Sequence, residues 1–132
     1  MLFRSDIVGM GRYARLGLFR RPSVADHEAV AGAMHRTGTD EFQEMPLREL
    51  SGGQQQRTHL AQVLAREADV LLLDEPTAGL DLSGKSAIAD IIAQERARGT
   101  TVVVATHDLQ EAESASAVML LAQRVKIGRA HV

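Results

Sequence analysis

Two adjacent carboxylates, Asp74 and Glu75, close the apolar run Val70-Leu71-Leu72-Leu73 and are followed by Pro76-Thr77. A short apolar run ending in acids reads as a buried strand with Mg²⁺ and water chemistry at its tip. Side chains alternate along a strand, so the two carboxylates point differently. Upstream, Leu50-Ser51-Gly52-Gly53-Gln54 sets two glycines at the start of a helix. Bare N–H groups there, at the positive end of the helix dipole, suit a phosphate. Downstream, His107 and Asp108 follow the run Val102-Val103-Val104-Ala105-Thr106. The remaining histidines His27, His35 and His59 have no ligand spacing with one another and read as helix-face or surface residues.

These groups need elements to hold them. Asp6 to Leu50 reads as helical and loop-rich, with Pro22-Ser23 and Asp26 as a helix start and Thr37-Gly38 as a stop. Ser51 and Gln54 have the spacing of a capping box, and Leu60, Val63 and Leu64 continue an apolar stripe to about Arg66. From Val70 the pattern becomes strand, helix, strand. Val70–Asp74 is followed by Ile88, Ile91 and Ile92 at helical spacing, a stop at Gly99, and Thr101–Thr106 rich in β-branched residues. That order predicts a βαβ unit with parallel strands. A short helix from about Leu109 and strand signals at Ala117–Ala122 and Arg124–Ile127 complete the pattern. The fold class is α/β: a helical subdomain over 6–50, then parallel βαβ units over 51–126.

Composition narrows the partners. The 132 residues carry a formal charge of −2 and are 45% hydrophobic, enough for a real core. With no broad basic face, nucleic acid is not expected as a partner. The local run Arg12, Arg15, Arg20 and Arg21 reads either as solvated surface or as a contact with a membrane-protein partner or lipid headgroups. The absence of cysteine rules out a disulfide framework and a thiolate metal site. No apolar segment approaches the ~20 residues of a membrane span.

Taken in order, Ser51–Gln54, Asp74-Glu75, the loop Ala78-Gly79-Leu80-Asp81 and His107 resemble the signature, Walker B, D-loop and switch histidine of the ATP-binding cassette (ABC) transporter ATPases. The resemblance runs from about Asp6 to Lys126. It implies a partial P-loop NTPase fold, ATP and Mg²⁺ as cofactors, and ATP hydrolysis coupled to transport. By position, Asp74 would hold the Mg²⁺ ion, Glu75 would act as general base, and His107 would hydrogen-bond the γ-phosphate. Ser51, Gly52, Gly53 and Gln54 would close on ATP held by a second ATP-binding subunit, a homodimer partner. Asp81 would cross that interface. The resemblance also implies a transmembrane permease as partner, a substrate-binding protein acting indirectly, and a place on the cytoplasmic face of the plasma membrane.

Gly11-Arg12-Tyr13 and Gly17-Leu18-Phe19-Arg20-Arg21-Pro22 resemble the helical subdomain of manganese, zinc or iron importers. Iron-siderophore or cobalamin importers are a less close match, and a non-catalytic permease-binding fragment is a further alternative. The sequence also departs from the family. The Walker A half, with its phosphate loop, is missing from the 132 residues, so the chain alone is expected to be inactive. Gly79-Leu80-Asp81-Leu82-Ser83-Gly84-Lys85-Ser86 fits the phosphate-loop pattern, yet it begins several residues beyond its strand rather than directly after it. It is read as accidental, with Lys85 on a helix surface. The absent strand is expected to leave an apolar edge beside Val70–Asp74. The segments 1–5 and 127–132 look like translated sequencing-adapter strands and are expected to be non-native ends.

Overall fold

Ser23 begins the second helix as its spacing predicts. In the computed structural model, which describes residues 3–13, 16, 20–121 and 126–128, Ser23 and Asp26 form a reciprocal capping box at the start of α2 (Val24–Arg36). The preceding helix, α1 (Arg4–Tyr13), packs on α2 and on α3 (Gly52–Leu64). Two 3₁₀ turns, Thr39–Phe42 and Leu47–Glu49, link α2 to α3. Gly11 permits the close approach of α1 to α3: a Cβ there would sit 2.0 Å from the Gln62 carbonyl oxygen. Arg15 and Gly17-Leu18-Phe19 lie outside the described residues, as do Met1, Leu2, residues 122–125 and residues 129–132.

Arg12 does not belong to a solvated basic run. Its Nε lies 2.6 Å from Asp26, and its Nη1 donates to the Ala65 carbonyl at 3.1 Å and approaches Glu67 at 3.5 Å. It fastens α1 to α2 and to the end of α3, whereas Arg20 and Arg21 are exposed. The Ser23 amide, then Arg12, hold the Asp26 carboxyl down at about 2. Arg4 is buried at the start of α1, where its guanidinium donates to the Met45 carbonyl and stands 5.9 Å from the centre of the Phe42 ring.

Helix α3 ends at Leu64, two residues before the expected Arg66, and Glu67 takes a left-handed φ of 53° as the chain turns into β1 (Val70–Asp74). The rest of the βαβ unit is α4 (Leu82–Ala97) and β2 (Thr101–Ala105). Gly99, at φ 96°, ends α4, and the Thr100 amide donates back to the Glu95 carbonyl. The two strands pair in parallel, with Leu72 opposite Val103 and Asp74 opposite Ala105. After α5 (Leu109–Glu113), β3 (Val118–Leu120) and β4 (Lys126–Gly128) form a separate antiparallel pair. Among the described residues there is thus one parallel βαβ unit rather than several.

One core runs through both halves. Val8, Val30, Met34, Leu60, Leu64 and Ala65 from the helices join Leu71, Ile88 and Ile91 from the βαβ unit. Alternation along β1 sends Leu71 inward and leaves Leu72 72% exposed, with Val70 and Val103 also exposed. Parallel sheets are normally covered on both faces, so this uncovered apolar face is unusual for the class. No helix among the described residues is long and apolar enough to cross a membrane.

Candidate functional site

Parallel pairing brings the C-terminal ends of β1 and β2 side by side, and with them the residues that follow. The Glu75 amide extends the ladder by donating to the Ala105 carbonyl at 2.7 Å. Glu75 itself has φ 46°, a left-handed conformation that costs a non-glycine residue about 1 kcal/mol or more. The cost is met by that ladder bond and by the turn that follows, in which the Ala78 amide donates to the Glu75 carbonyl at 3.2 Å. This backbone sets the Glu75 carboxylate 2.8 Å from Nδ1 of His107, across 32 positions of sequence. The hydrogen bond first, and then the negative charge of Glu75, raise the His107 imidazole above its ordinary value of 6.5.

That arrangement has a pH consequence with a definite sign. Because the folded value is raised, the stabilisation from the pair is fully present below about 6.5 and is lost as the pH rises through the raised folded value. Thermal melts of the chain and of Glu75→Gln should therefore differ most at mildly acidic pH and converge at alkaline pH. A difference that grew toward alkaline pH would contradict the contact.

Asp74 is exposed at the strand tip, and among the described residues its carboxylate makes no hydrogen bond. A free hard oxygen there fits a Mg²⁺ ion, which typically takes one or two carboxylates and completes its shell with water and phosphate oxygens. The described residues hold no group of three or more acidic, histidine or cysteine side chains, so a metal cage made of protein alone is not on offer. Lys85 reaches Asp108 at 3.2 Å, and Asp108 also accepts from the Gln110 amide at 2.9 Å. The Gln110 amide first, and then Lys85, hold the Asp108 carboxyl below its usual range. A cleft lined by Arg36, Leu64, Leu71 and Glu95 includes none of these groups. The carboxylate pair and the histidine stand on an open rim.

The Ser51–Gln54 segment opens α3. Ser51 accepts from the Gln54 amide at 3.1 Å, and the Gln54 side chain accepts from the Ser51 amide at 3.0 Å. As the first two residues of α3, Gly52 and Gly53 have no intrahelical acceptors for their amides. Their neighbours are in the loop and first turn of α4: a Cβ on Gly52 would lie 3.7 Å from Leu80, and one on Gly53 would lie 3.6 Å from Gly84. Among the described residues no hydrogen bond joins Ser51 or Gln54 to Asp74, Glu75 or His107. Ser51→Ala should lower stability by about 0.5–2 kcal/mol through loss of the cap; urea unfolding would check this.

Asp81 caps α4, its carboxylate accepting from the Gly84 amide at 2.7 Å. Within Gly79–Ser86, the acceptor at the helix start is therefore a protein carboxylate, and the Lys85 ammonium is engaged by Asp108. Three pairings were not visible in the sequence: Lys85 with Asp108, Thr77 with Glu111, and Arg36 with Glu95. No spacing rule links residues so far apart. The only advance sign was that Glu95 shares a helix face with the core residues Ile88 and Ile91.

The ABC transporter family matches residues 6–78, more than half of the chain. The chain is 44% identical over 108 residues to the manganese transport system ATP-binding protein MntB of Bacillus subtilis, covering 82% of this chain and 43% of that protein. Its structure is similar to that of a protein assigned to the metal-chelate type of ABC transporter, seen in an inward-facing conformation. The TM-score is 0.87 at 30% identity, over 98% of this chain and 53% of the other. It also resembles the ATP-binding cassette MJ0796, in a dimeric post-hydrolysis state bound to ADP and Pi. There the TM-score is 0.74 at 25% identity, over 96% of this chain and 57% of the other. This chain therefore spans roughly half or less of the proteins it matches.

Proposed function

The chain belongs to the ABC transporter family and has part of the ABC ATPase fold, and from that premise we propose that it acts in an ATP-hydrolysing subunit that drives a membrane importer. The observation that carries this reading is the Glu75–His107 hydrogen bond at the rim where Asp74 is free. Asp74 would hold a Mg²⁺ ion, which would supply charge stabilisation to the nucleotide phosphates. Glu75 takes the proton from the attacking water, and His107 keeps the carboxylate aimed while donating toward the γ-phosphate. Ser51, Gly52, Gly53 and Gln54 serve the nucleotide of a second subunit. The bare amides of Gly52 and Gly53 at the start of α3 and the dimeric state of the similar MJ0796 cassette support that assignment. Asp81 serves the interface with that second subunit; its neighbours Leu80 and Gly84 lie beside Gly52 and Gly53 at the start of α3.

Residues 6–50 are read as the helical subdomain that meets the permease, and 51–126 as signature helix and catalytic core. The segments 1–5 and 127–132 are left outside the assignment. The exposed face of Val70, Leu72 and Val103 is where the remainder of an ATPase core would pack. The permease holds the subunit at the cytoplasmic face of the membrane. Manganese or a related metal ion is the proposed cargo, on the likeness to MntB; the likeness to a metal-chelate transporter supports a chelated-metal cargo as the second reading. Uptake assays of a transporter assembled with this chain would separate the two.

The catalytic reading is tested by a chimaera in which the part of MntB that precedes its match is joined ahead of Asp6. It should hydrolyse ATP, whereas the 132 residues alone should not. A folded chimaera that binds ATP and never turns it over would overturn the reading.

A further inference from the structure

Helix α5 follows His107 directly and buries none of its side chains, so polar ties place it rather than apolar packing. On the side of β1, the tie runs from the Thr77 hydroxyl to the Glu111 carboxylate. Thr77 is buried and lies two residues beyond Glu75; Glu111 lies four beyond His107. The second carboxylate oxygen, Oε2 of Glu111, is buried and has no hydrogen-bond partner among the described residues. A buried acceptor left bare is unfavourable, and an apolar residue at position 111 would avoid it. What Glu111 contributes is therefore the bond made by its other oxygen.

We propose that Thr77 and Glu111 are positioning residues: their bond clamps the segment after Glu75 to the segment after His107 and so keeps that carboxylate and imidazole in register. The proposal rests on the reading of Glu75 and His107 given above. The two segments then meet at the exposed Glu75–His107 contact and at the part-buried Thr77–Glu111 contact. The exposed contact joins side chains open to water, where competition with solvent is greatest. The part-buried one limits how far the two backbones can part.

The test reads the geometry without ATP, so it stands apart from any failure of the catalytic reading. The rate of His107 modification by diethyl pyrocarbonate is followed at neutral pH by peptide mass spectrometry on the full 132-residue chain at high dilution. The contact with Glu75 protects the imidazole by holding a proton on it. Glu75→Gln removes the partner and sets the fastest rate. Thr77→Val and Glu111→Leu should each accelerate modification severalfold toward that limit, while Thr77→Ser, which retains the hydroxyl, should match the unmodified chain. An unchanged rate in either Thr77→Val or Glu111→Leu overturns the proposal. Loss of the fold in both variants, seen by circular dichroism, also overturns it, because the clamp would then be holding the core rather than aiming the site.

Discussion

Glu75→Gln, made in the MntB chimaera, should lower the turnover of ATP by about 10²–10⁴-fold, the usual worth of a positioned general base. The substitution keeps the shape of the side chain and leaves the bond from the amide of residue 75 to the Ala105 carbonyl intact. It removes the ability to take a proton from water and, with it, the negative partner of His107. ATP binding should persist, because on the proposed reading the group lost acts on the attacking water rather than on the nucleotide. Single-turnover hydrolysis beside equilibrium nucleotide binding separates the two effects. Turnover within about tenfold of the parent, equivalent to no more than ~1.4 kcal/mol of barrier, would remove Glu75 from the role of base. The same variant should let the His107 imidazole fall back toward 6.5, since the hydrogen bond and charge of Glu75 are the first two causes of its rise.

Glu95→Ala should be the most damaging change to stability outside the apolar core, at about 3–5 kcal/mol. Glu95 is 5% exposed, and its carboxylate lies 2.9 Å from Nε of Arg36, itself mostly buried. The pair ties α2 to α4 across 59 positions, joining the helical part of the chain to its βαβ unit. Removing the carboxylate leaves a largely buried guanidinium without its counter-charge. Against the ~5–15 kcal/mol that holds a typical domain, such a loss is severe. The double substitution Arg36→Met with Glu95→Leu should recover most of it, because an apolar pair of similar volume needs no ionic partner. Urea unfolding midpoints at unchanged slope provide the measurement. A Glu95→Ala cost below about 1 kcal/mol would place the pair among solvated surface contacts instead.

The elements were legible in the sequence wherever the forces that form them act over a few residues. Ser23 with Asp26 and Ser51 with Gln54 both close capping boxes across three positions. The run Val70–Asp74 and the stop at Gly99 are likewise local, one an unbroken apolar run closed by an acid and the other a single residue able to take φ 96°. Strand β2 ended one residue early, where the Thr106 hydroxyl accepts from the Asp108 amide, and α3 two residues early, where Glu67 takes a left-handed φ of 53°. Arg12 was misread for a related reason. Its neighbours in sequence make it look like surface, whereas Asp26 and the Ala65 carbonyl reach it only after three helices have packed.

The candidate site divides in the same way. The order and type of Ser51–Gln54, Asp74, Glu75, Asp81 and His107 were sufficient, by themselves, to point to the family. A motif of that kind is a statement about residue types along the chain. Only the tertiary structure decided which groups meet. It joined Glu75 to His107 across 32 positions, Thr77 to Glu111 across 34, and Lys85 to Asp108 across 23. It set Gly52 and Gly53 beside Leu80 and Gly84. The physical reason is that such contacts are by-products of burying one shared core, from Val8 to Ile91, and parallel pairing of β1 with β2 then brings their ends together.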